Sequence, residues 1–284
     1  MLLALLMCLA TPAADDLADG QHPLRPIDVA THVYHATPQG ELSLVTYTPA
    51  DLVEGDRRPG IVFFHGGGWV DGGPEQFETY GTWLAGRNMV AVAAEYRLEK
   101  KHGTTPFESI ADAFVAFDWV RRHADELHLE PDRIAAGGGS AGGHLAAALA
   151  TLDPAAVSEL AAIDRPDALV LFNPVYDNSP DGYGQERLGD RWREVSPRHN
   201  LHADMPPTLT LLGDRDELIP VATAEAFRDA MRNLGVRSEL GIFGDSGHGF
   251  FNLHSHRGGP DRYLKVRAAM DDFLVSLGYL DPMD

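Results

Sequence analysis

A serine inside a glycine-rich turn is the residue whose setting points most directly to chemistry. The stretch 133–150 contains an apolar run, then Gly-Gly-Ser-Ala-Gly at 138–142, then an alanine-rich helical pattern. A strand, a sharp turn and a helix in that order expose a serine hydroxyl, provided that the residues two positions to either side are very small. Gly138 and Gly142 meet this requirement, so the pattern predicts Ser140 as a nucleophile. The alternative is an ordinary or phosphate-binding turn, although no Lys-Ser or Lys-Thr pair closes it.

Candidate partners for Ser140 follow two later apolar runs. A serine nucleophile needs a histidine base and a carboxylate that orients the histidine, in the chain order serine, acid, histidine for this architecture. The run ending at 212 leads into Gly-Asp-Arg-Asp-Glu-Leu-Ile-Pro, and the next leads into Gly-Asp-Ser-Gly-His-Gly-Phe. We expect Asp216 as the acid, because a helix start follows it, and His248 as the base. Asp214 is the alternative acid, and His254 or His256 would serve only if their loop folded differently.

A second glycine-rich segment could supply backbone N–H donors to a developing negative charge. His-Gly-Gly-Gly-Trp at 65–69 directly follows a buried apolar run, and glycines let the backbone turn its N–H groups toward a site without side-chain obstruction. We predict an oxyanion hole formed by the N–H groups of Gly67, Gly68 and Ala141. Ala141 qualifies because it would begin a helix, where N–H groups lack partners.

Strand and helix patterns alternate through the centre of the chain and predict how these residues are positioned. The alternation indicates an α/β fold with a mostly parallel, doubly wound sheet, helices on both faces and an N-terminal antiparallel hairpin. Active sites in such sheets lie beyond the carboxyl ends of the strands. The predicted strands are 29–49 (the hairpin), 60–64, 89–95, 133–138, 168–172, 208–212 and 237–243, and the predicted helices are 76–86, 106–127, 141–150, 221–234 and 262–277.

The excess of acidic residues limits the classes of partner. The chain has 284 residues, 44% of them hydrophobic, and a formal net charge of −19. That charge repels nucleic acid and anionic membrane surfaces, and no Lys/Arg cluster reverses it locally. We expect a small-molecule or carbohydrate substrate, no nucleic acid, no membrane span, no cofactor and no metal, since the His-x-His at 254–256 lacks a third ligand at familiar spacing. The oligomeric state is left open.

The first fourteen residues have the pattern of an export signal. An apolar run at 2–10 is too short to span a bilayer, and Thr-Pro-Ala-Ala follows it. This predicts cleavage near residue 14 and a secreted or periplasmic protein. No Lys or Arg precedes the run, so a cytoplasmic protein with an apolar first turn is the alternative. Cys8, the only cysteine, would leave with the signal; the remainder, 15–284, is predicted to be a single domain.

A segment with turn-forming composition at 174–205 is predicted to be a lid or pocket wall, because its length is unusual for a plain connection. It contains Tyr183 and Trp192. Together with Trp69 these aromatic side chains could stack on a sugar ring, or each could belong to the packed core.

The motifs taken together resemble the α/β-hydrolase superfamily, in the group of the hormone-sensitive-lipase-like esterases. They occur in the expected order between residues 61 and 250 and include Glu-Tyr-Arg-Leu at 95–98. The resemblance implies that Ser140 is the nucleophile, Asp216 the acid and His248 the base. It also implies Gly67, Gly68 and Ala141 as oxyanion donors.

Two departures from that group change what the resemblance implies. Gly139 stands where those relatives usually have Asp or Glu, and their long N-terminal helical cap has no counterpart. Both traits are closer to smaller secreted esterases similar to acetylxylan and feruloyl esterases. We therefore expect a serine carboxylesterase acting on short-chain esters, with acetyl or aromatic acyl groups. An amide or peptide hydrolase with the same triad, and a binding module without activity, are the alternatives.

Overall fold

An eight-stranded, mostly parallel sheet runs through the molecule. The computed structural model describes residues 25–254 and 258–283. The strands are β1 (Ile27–Thr37), β2 (Gly40–Pro49), β3 (Arg58–Phe64), β4 (Val90–Ala94), β5 (Leu129–Gly139), β6 (Leu169–Phe172), β7 (Thr208–Gly213) and β8 (Ser238–Phe243). They lie in the order β1-β2-β4-β3-β5-β6-β7-β8. The β1–β2 and β2–β4 pairs are antiparallel and the other pairs are parallel, which confirms the predicted sheet and hairpin.

Helices connect the strands and cover both faces of the sheet. They are α1 (Glu78–Gly86), α2 (Glu99–His102), α3 (Pro106–Arg122), α4 (Ala141–Thr151), α5 (Pro154–Val157), α6 (Gln185–Leu188), α7 (Trp192–Val195), α8 (Val221–Asn233) and α9 (Pro260–Ser276). Short 3₁₀ helices lie at Pro74–Phe77, Gly189–Arg191 and Pro197–His199. None of the helices in the described ranges is long and apolar enough to cross a membrane. The predicted signal at 1–14, which includes Cys8, lies outside the described residues.

Alternating side chains of the central strands divide the core into two layers. In β3, Val62 and Phe64 pack on the side of α3, α4 and α8, whereas Ile61 and Phe63 pack on the side of α1 and α9. All four are essentially buried. A strand with apolar residues on both sides can only be an interior strand, so helices must cover the sheet on both faces.

Several element boundaries differ from those predicted, for local reasons. Helix α3 ends at Arg122 rather than near 127, and residues 123–128 form turns that end at His128, which has a positive φ of 55°. Leu129 already pairs with Arg58 of β3, so β5 begins four residues earlier than the apolar run suggested. The segment 174–205 contains α6, α7 and two of the 3₁₀ helices, which its composition did not indicate.

Candidate active site

The turn between β5 and α4 holds Ser140 in a strained backbone conformation. Its φ and ψ are 53° and −116°, a region that non-glycine residues rarely adopt and that recurs at functional sites. The turn tolerates no side chain on either flank: a Cβ at Gly138 would collide with the backbone of Gly142, and one at Gly142 with the carbonyl oxygen of Phe64. The glycine spacing read from the sequence is therefore a steric requirement.

Ser140, His248 and Asp216 form a continuous chain of hydrogen bonds. The Nε2 atom of His248 lies 2.8 Å from Ser140 Oγ, and its Nδ1 lies 2.9 Å from Asp216 Oδ2. His248 belongs to the loop after β8 and Asp216 to the loop after β7, so three strand ends supply one side chain each. With the imidazole proton on Nδ1 and donated to the carboxylate, Nε2 can accept the serine hydroxyl proton.

The carboxylate of Asp216 is buried and held by several hydrogen bonds. Its side chain is 0% exposed, and Oδ1 accepts the backbone N–H groups of Leu218 and Ile219, both at 2.9 Å. Such bonds stabilise a buried carboxylate. Asp214, the alternative acid, is exposed and accepts the N–H of Ser246 at 3.2 Å. The structure places Asp216, and not Asp214, against the imidazole.

The three predicted oxyanion donors lie where their N–H groups have no acceptor among the described residues. Gly67 and Gly68 have φ values of 121° and 64°, and a Cβ on Gly67 would collide with the carbonyl of Asp71. Ala141 is the first residue of α4, so its N–H has no partner within the helix. By contrast, the N–H of Gly66 donates to Gln76 Oε1 at 2.6 Å. The sequence carried no signal for this contact of Gln76.

Two sequence motifs, His-Gly-Gly-Gly-Trp at 65–69 and Glu-Tyr-Arg-Leu at 95–98, contact each other in the structure. His65 is 1% exposed and its ring stacks on Tyr96 with 4.2 Å between the ring centroids. Its Nδ1 bonds the carbonyl of Gly66 at 2.8 Å, and burial lowers its pKa. The Tyr96 hydroxyl donates to the carbonyl of His65 at 2.7 Å. Arg97, the next residue, donates two hydrogen bonds from its guanidinium to Asp112, each 2.8 Å long, which fix the 95–98 segment against α3.

A cleft of about 360 Å³ opens above Ser140. Tyr183 and Arg187, from the segment predicted as a lid, line it. Trp69 and Trp192 do not: Trp69 is 1% exposed and meets His144 edge to face, and Trp192 packs against the ring of His199. The further residues that line the cleft are Gly66, Gly67, Gly68, Val70, Gln76, Asn173, Leu218, His248, Gly249, Phe251 and Asn252.

Neither His144 nor His254 hydrogen-bonds the hydroxyl of Ser140, whose histidine partner is His248. His144 is fully buried and its Nε2 donates to the carbonyl of Val195 at 2.9 Å; burial lowers its pKa to about 4. His254 lines a neighbouring cavity of about 630 Å³, and His256 lies outside the described residues. Over residues 25–254 and 258–283, no three His, Cys, Asp or Glu side chains are grouped as metal ligands.

Comparisons with known proteins agree with the fold. Residues 61–194 match the model of a family described as having an alpha/beta hydrolase fold. The chain is 32% identical over 253 residues to the probable carboxylic ester hydrolase LipM of Mycobacterium tuberculosis, covering 78% of this chain and 58% of LipM. It is 27% identical over 187 residues to an acetylxylan esterase of Xylanibacter ruminicola, covering 59% of this chain and 36% of that protein.

A solved structure gives the more complete match. The propionate-bound esterase Est2 of Thermogutta terrifontis is 41% identical, with a TM-score of 0.82, and the match covers 89% of this chain and 96% of Est2. The same esterase phosphorylated by paraoxon matches with a TM-score of 0.81 at 40% identity, over 90% of this chain and 96% of that one. At this identity and coverage the likeness extends beyond the fold, and the chain belongs to the α/β-hydrolase family, in its group of esterases.

Proposed function

We propose that the protein is a serine carboxylesterase. The observation that supports this most directly is the hydrogen-bonded chain from Asp216 through His248 to Ser140. A serine esterase also needs donors that stabilise an oxyanion. The N–H groups of Gly67, Gly68 and Ala141, which have no acceptor among the described residues, could supply them. The esterase relatives support ester bonds as the target, although the chain spans less than two-thirds of the length of LipM.

The proposed reaction transfers the acyl group in two steps. In the first, Ser140 Oγ attacks the ester carbonyl while His248 Nε2 takes the hydroxyl proton, and the carbonyl oxygen collects the three backbone N–H bonds. The tetrahedral species then expels the alcohol, which receives the proton from Nε2. The acyl group is now esterified to Ser140.

In the second step water replaces the alcohol. His248 Nε2 removes a proton from water, the resulting hydroxyl attacks the acyl carbonyl, and the proton returns to Ser140 Oγ as the acid leaves. Asp216 remains ionised throughout and holds the proton of Nδ1 in place, which stabilises the imidazolium that forms transiently.

The size of the cleft favours a short acyl group. Its volume of about 360 Å³ lies near the lower end of the roughly 300–1,000 Å³ typical of ligand pockets. Its lining includes the polar side chains of Gln76, Arg187 and Asn252, which a long alkyl chain would separate from water. The related Est2 was solved with propionate bound. We propose acetyl to butyryl esters as the preferred class.

The alcohol part and the location of the enzyme are further proposals. A carbohydrate alcohol fits the predicted lid segment, whose Tyr183 reaches the cleft, and the acetylxylan esterase relative supports this choice. The apolar run at 2–10 supports the proposal of export. The carbohydrate proposal is tested by measuring the release of acetate from acetylated xylo-oligosaccharides. The export proposal is tested separately, by determining the N-terminal residue of protein recovered outside the cytoplasm.

Replacing the nucleophile tests the assignment of Ser140. We expect Ser140→Ala to lower the turnover of p-nitrophenyl acetate by about 10⁶-fold, as loss of the nucleophile does in subtilisin, and to abolish labelling by a fluorophosphonate probe. Ser158→Ala, which removes a hydroxyl bonded to the carbonyl of Pro154, is the matched control and should keep both. Full activity of Ser140→Ala would rule out the proposed mechanism.

A series of p-nitrophenyl esters tests the acyl class. We expect kcat/KM to be highest between acetyl and butyryl and to fall at least tenfold by octanoyl, because the cleft volume of about 360 Å³ is small for the longer chain. The same preparation should hydrolyse an aminoacyl anilide far more slowly. An anilide cleaved as fast as the acetate ester would favour the amide or peptide hydrolase alternative, and an increase in kcat/KM toward octanoyl would contradict the short-acyl proposal.

A further inference from the structure

Asn173 occupies a position that brings the three candidate catalytic segments together. It directly follows β6, is 0% exposed as a residue and contributes to the wall of the cleft. Its φ is 35°, in the left-handed region that asparagine enters more easily than other non-glycine residues. The backbone conformation could therefore be adopted by glycine as well as by asparagine. Any role of the Asn173 side chain must come from the contacts that it makes.

The backbone around Asn173 is bonded to the segments of both Ser140 and Asp216. The N–H of Ser140 donates to the carbonyl of Phe172 at 2.9 Å, and the N–H of Val175 donates to the carbonyl of Ser140 at 3.2 Å. The N–H of Asn173 itself donates to the carbonyl of Leu211 on β7 at 2.8 Å. These bonds fix Asn173 relative to the serine turn and to the strand that leads to the acid.

The side chain of Asn173 reaches the third segment, the histidine loop. Its Oδ1 accepts the N–H of Gly249, the residue after His248, at 3.3 Å, and its Nδ2 lies 3.4 Å from His248 Nε2. With Oδ1 accepting the N–H of Gly249, the amide presents its NH₂ group to the imidazole. A donor at that place favours an unprotonated Nε2, which is the tautomer with its proton on Nδ1.

We propose that Asn173 is a positioning residue for the base: it holds the loop of His248 against the serine turn and favours the tautomer in which Nε2 can accept the proton of Ser140. This inference rests on the proposed function and adds a residue to it that no motif marks. Asn173 acts through His248 and needs no contact with the substrate. Its loss should therefore lower kcat and leave KM nearly unchanged.

Asn173→Gly separates the side chain from the backbone conformation. Glycine keeps the positive φ without strain, so a requirement for that φ alone would leave the enzyme fully active. We expect kcat for p-nitrophenyl acetate to fall about 10- to 100-fold, as for a misplaced catalytic group, with KM changed less than about threefold. Asn88→Gly is the matched control: Asn88 also has a positive φ, 69°, and its Oδ1 accepts a bond from Arg58 at 2.8 Å, but it lies outside the cleft lining.

Asn173→Asp provides a second test that does not depend on the glycine variant folding. Aspartate tolerates the same φ and keeps an oxygen for the N–H of Gly249, but places an acceptor beside Nε2 that favours the opposite tautomer. We expect kcat to fall at least tenfold, whereas labelling by a fluorophosphonate should persist at a reduced rate and show that the variant folds. Wild-type kcat in either variant, or a loss expressed in KM with kcat retained, would overturn the proposal.

Covalent labelling distinguishes this inference from the proposed function itself. If Ser140 is the nucleophile, a fluorophosphonate labels the wild type, Asn88→Gly and both Asn173 variants, and the rate of labelling falls in the Asn173 variants in proportion to kcat. Absence of labelling in the wild type would refute the nucleophile assignment. Labelling of all four proteins at equal rates would refute only the role of Asn173.

Discussion

At the scale of single residues, two aspartates two positions apart in one loop have very different surroundings. Asp216 is fully buried as a side chain and bonded to the imidazole and to two backbone N–H groups. Asp214 is exposed, and its carboxylate accepts the N–H of Ser246. Ionised Asp216 can stabilise a charged imidazole through a desolvated contact, whereas Asp214 contributes to the shape of the neighbouring loop.

This difference predicts opposite outcomes for the same substitution. Asp216→Asn should lower kcat by about 10⁴-fold, as the equivalent change does in trypsin, because the amide allows the wrong imidazole tautomer. Asp214→Asn retains an oxygen for Ser246 and should keep kcat within about threefold. Steady-state kinetics with p-nitrophenyl acetate compare the two. Equal losses in both variants would contradict the assignment of Asp216 as the acid.

At the scale of elements, the segment between β3 and α1 depends on side chains from elsewhere to hold its shape. Gln76 accepts the N–H of Gly66 at 2.6 Å, and Tyr96 donates to the carbonyl of His65 at 2.7 Å. Gly67 and Gly68 follow with positive φ values, so small rotations of the preceding peptides would redirect their N–H groups. The glycines permit the conformation, and Gln76 and Tyr96 select it.

Removing the amide of Gln76 tests this account of the segment. Gln76→Leu leaves the N–H of Gly66 without its acceptor, a loss that costs about 1–3 kcal/mol for a buried group, and lets the oxyanion donors move. We expect kcat to fall about 10- to 100-fold. Gln39→Leu, which removes an acceptor for Arg97 in the β1–β2 turn, is the control and should retain wild-type kcat. No loss in Gln76→Leu would show that the glycines alone hold the donors.

At the scale of the whole molecule, a buried histidine couples stability to pH. His144 lies fully buried in α4 with its pKa lowered by burial to about 4, whereas in the unfolded chain a histidine titrates near 6.5. The unfolded state therefore binds more protons between these values. The stabilisation is fully present above about pH 6.5 and is lost as the pH falls toward 4, by at most about 3 kcal/mol.

His144→Gln should remove that dependence while keeping a donor for the carbonyl of Val195. Between pH 6.5 and pH 4, the free energy of unfolding measured with urea should fall less in His144→Gln than in the wild type. The difference between the two falls should be up to about 3 kcal/mol. His202→Gln is the control, since His202 also bonds a backbone carbonyl, that of Ala150 at 3.0 Å, but is only partly buried. Parallel pH dependences in the wild type and His144→Gln would contradict the expected effect of burial.

The amino-acid sequence by itself determined the order and type of the main elements and the conformations its glycines permit. The continuous apolar run in β3 indicated a buried strand, and the spacing of Gly138 and Gly142 around Ser140 indicated a turn that admits no side chain. These features depend on residues within a few positions of one another. Local patterns encode them because periodicity and backbone sterics act over that same short range.

Only the tertiary structure decided which distant groups meet. The roles of Gln76 and Asn173 arise from bonds to Gly66 and Gly249, the latter 76 positions along the chain, and the burial of Trp69 arises from its packing against His144. A side-chain amide or an indole looks the same in sequence whether it lies in a wall, a core or a cleft. Its contacts depend on how strands far apart in the chain pair and pack, which no local pattern specifies.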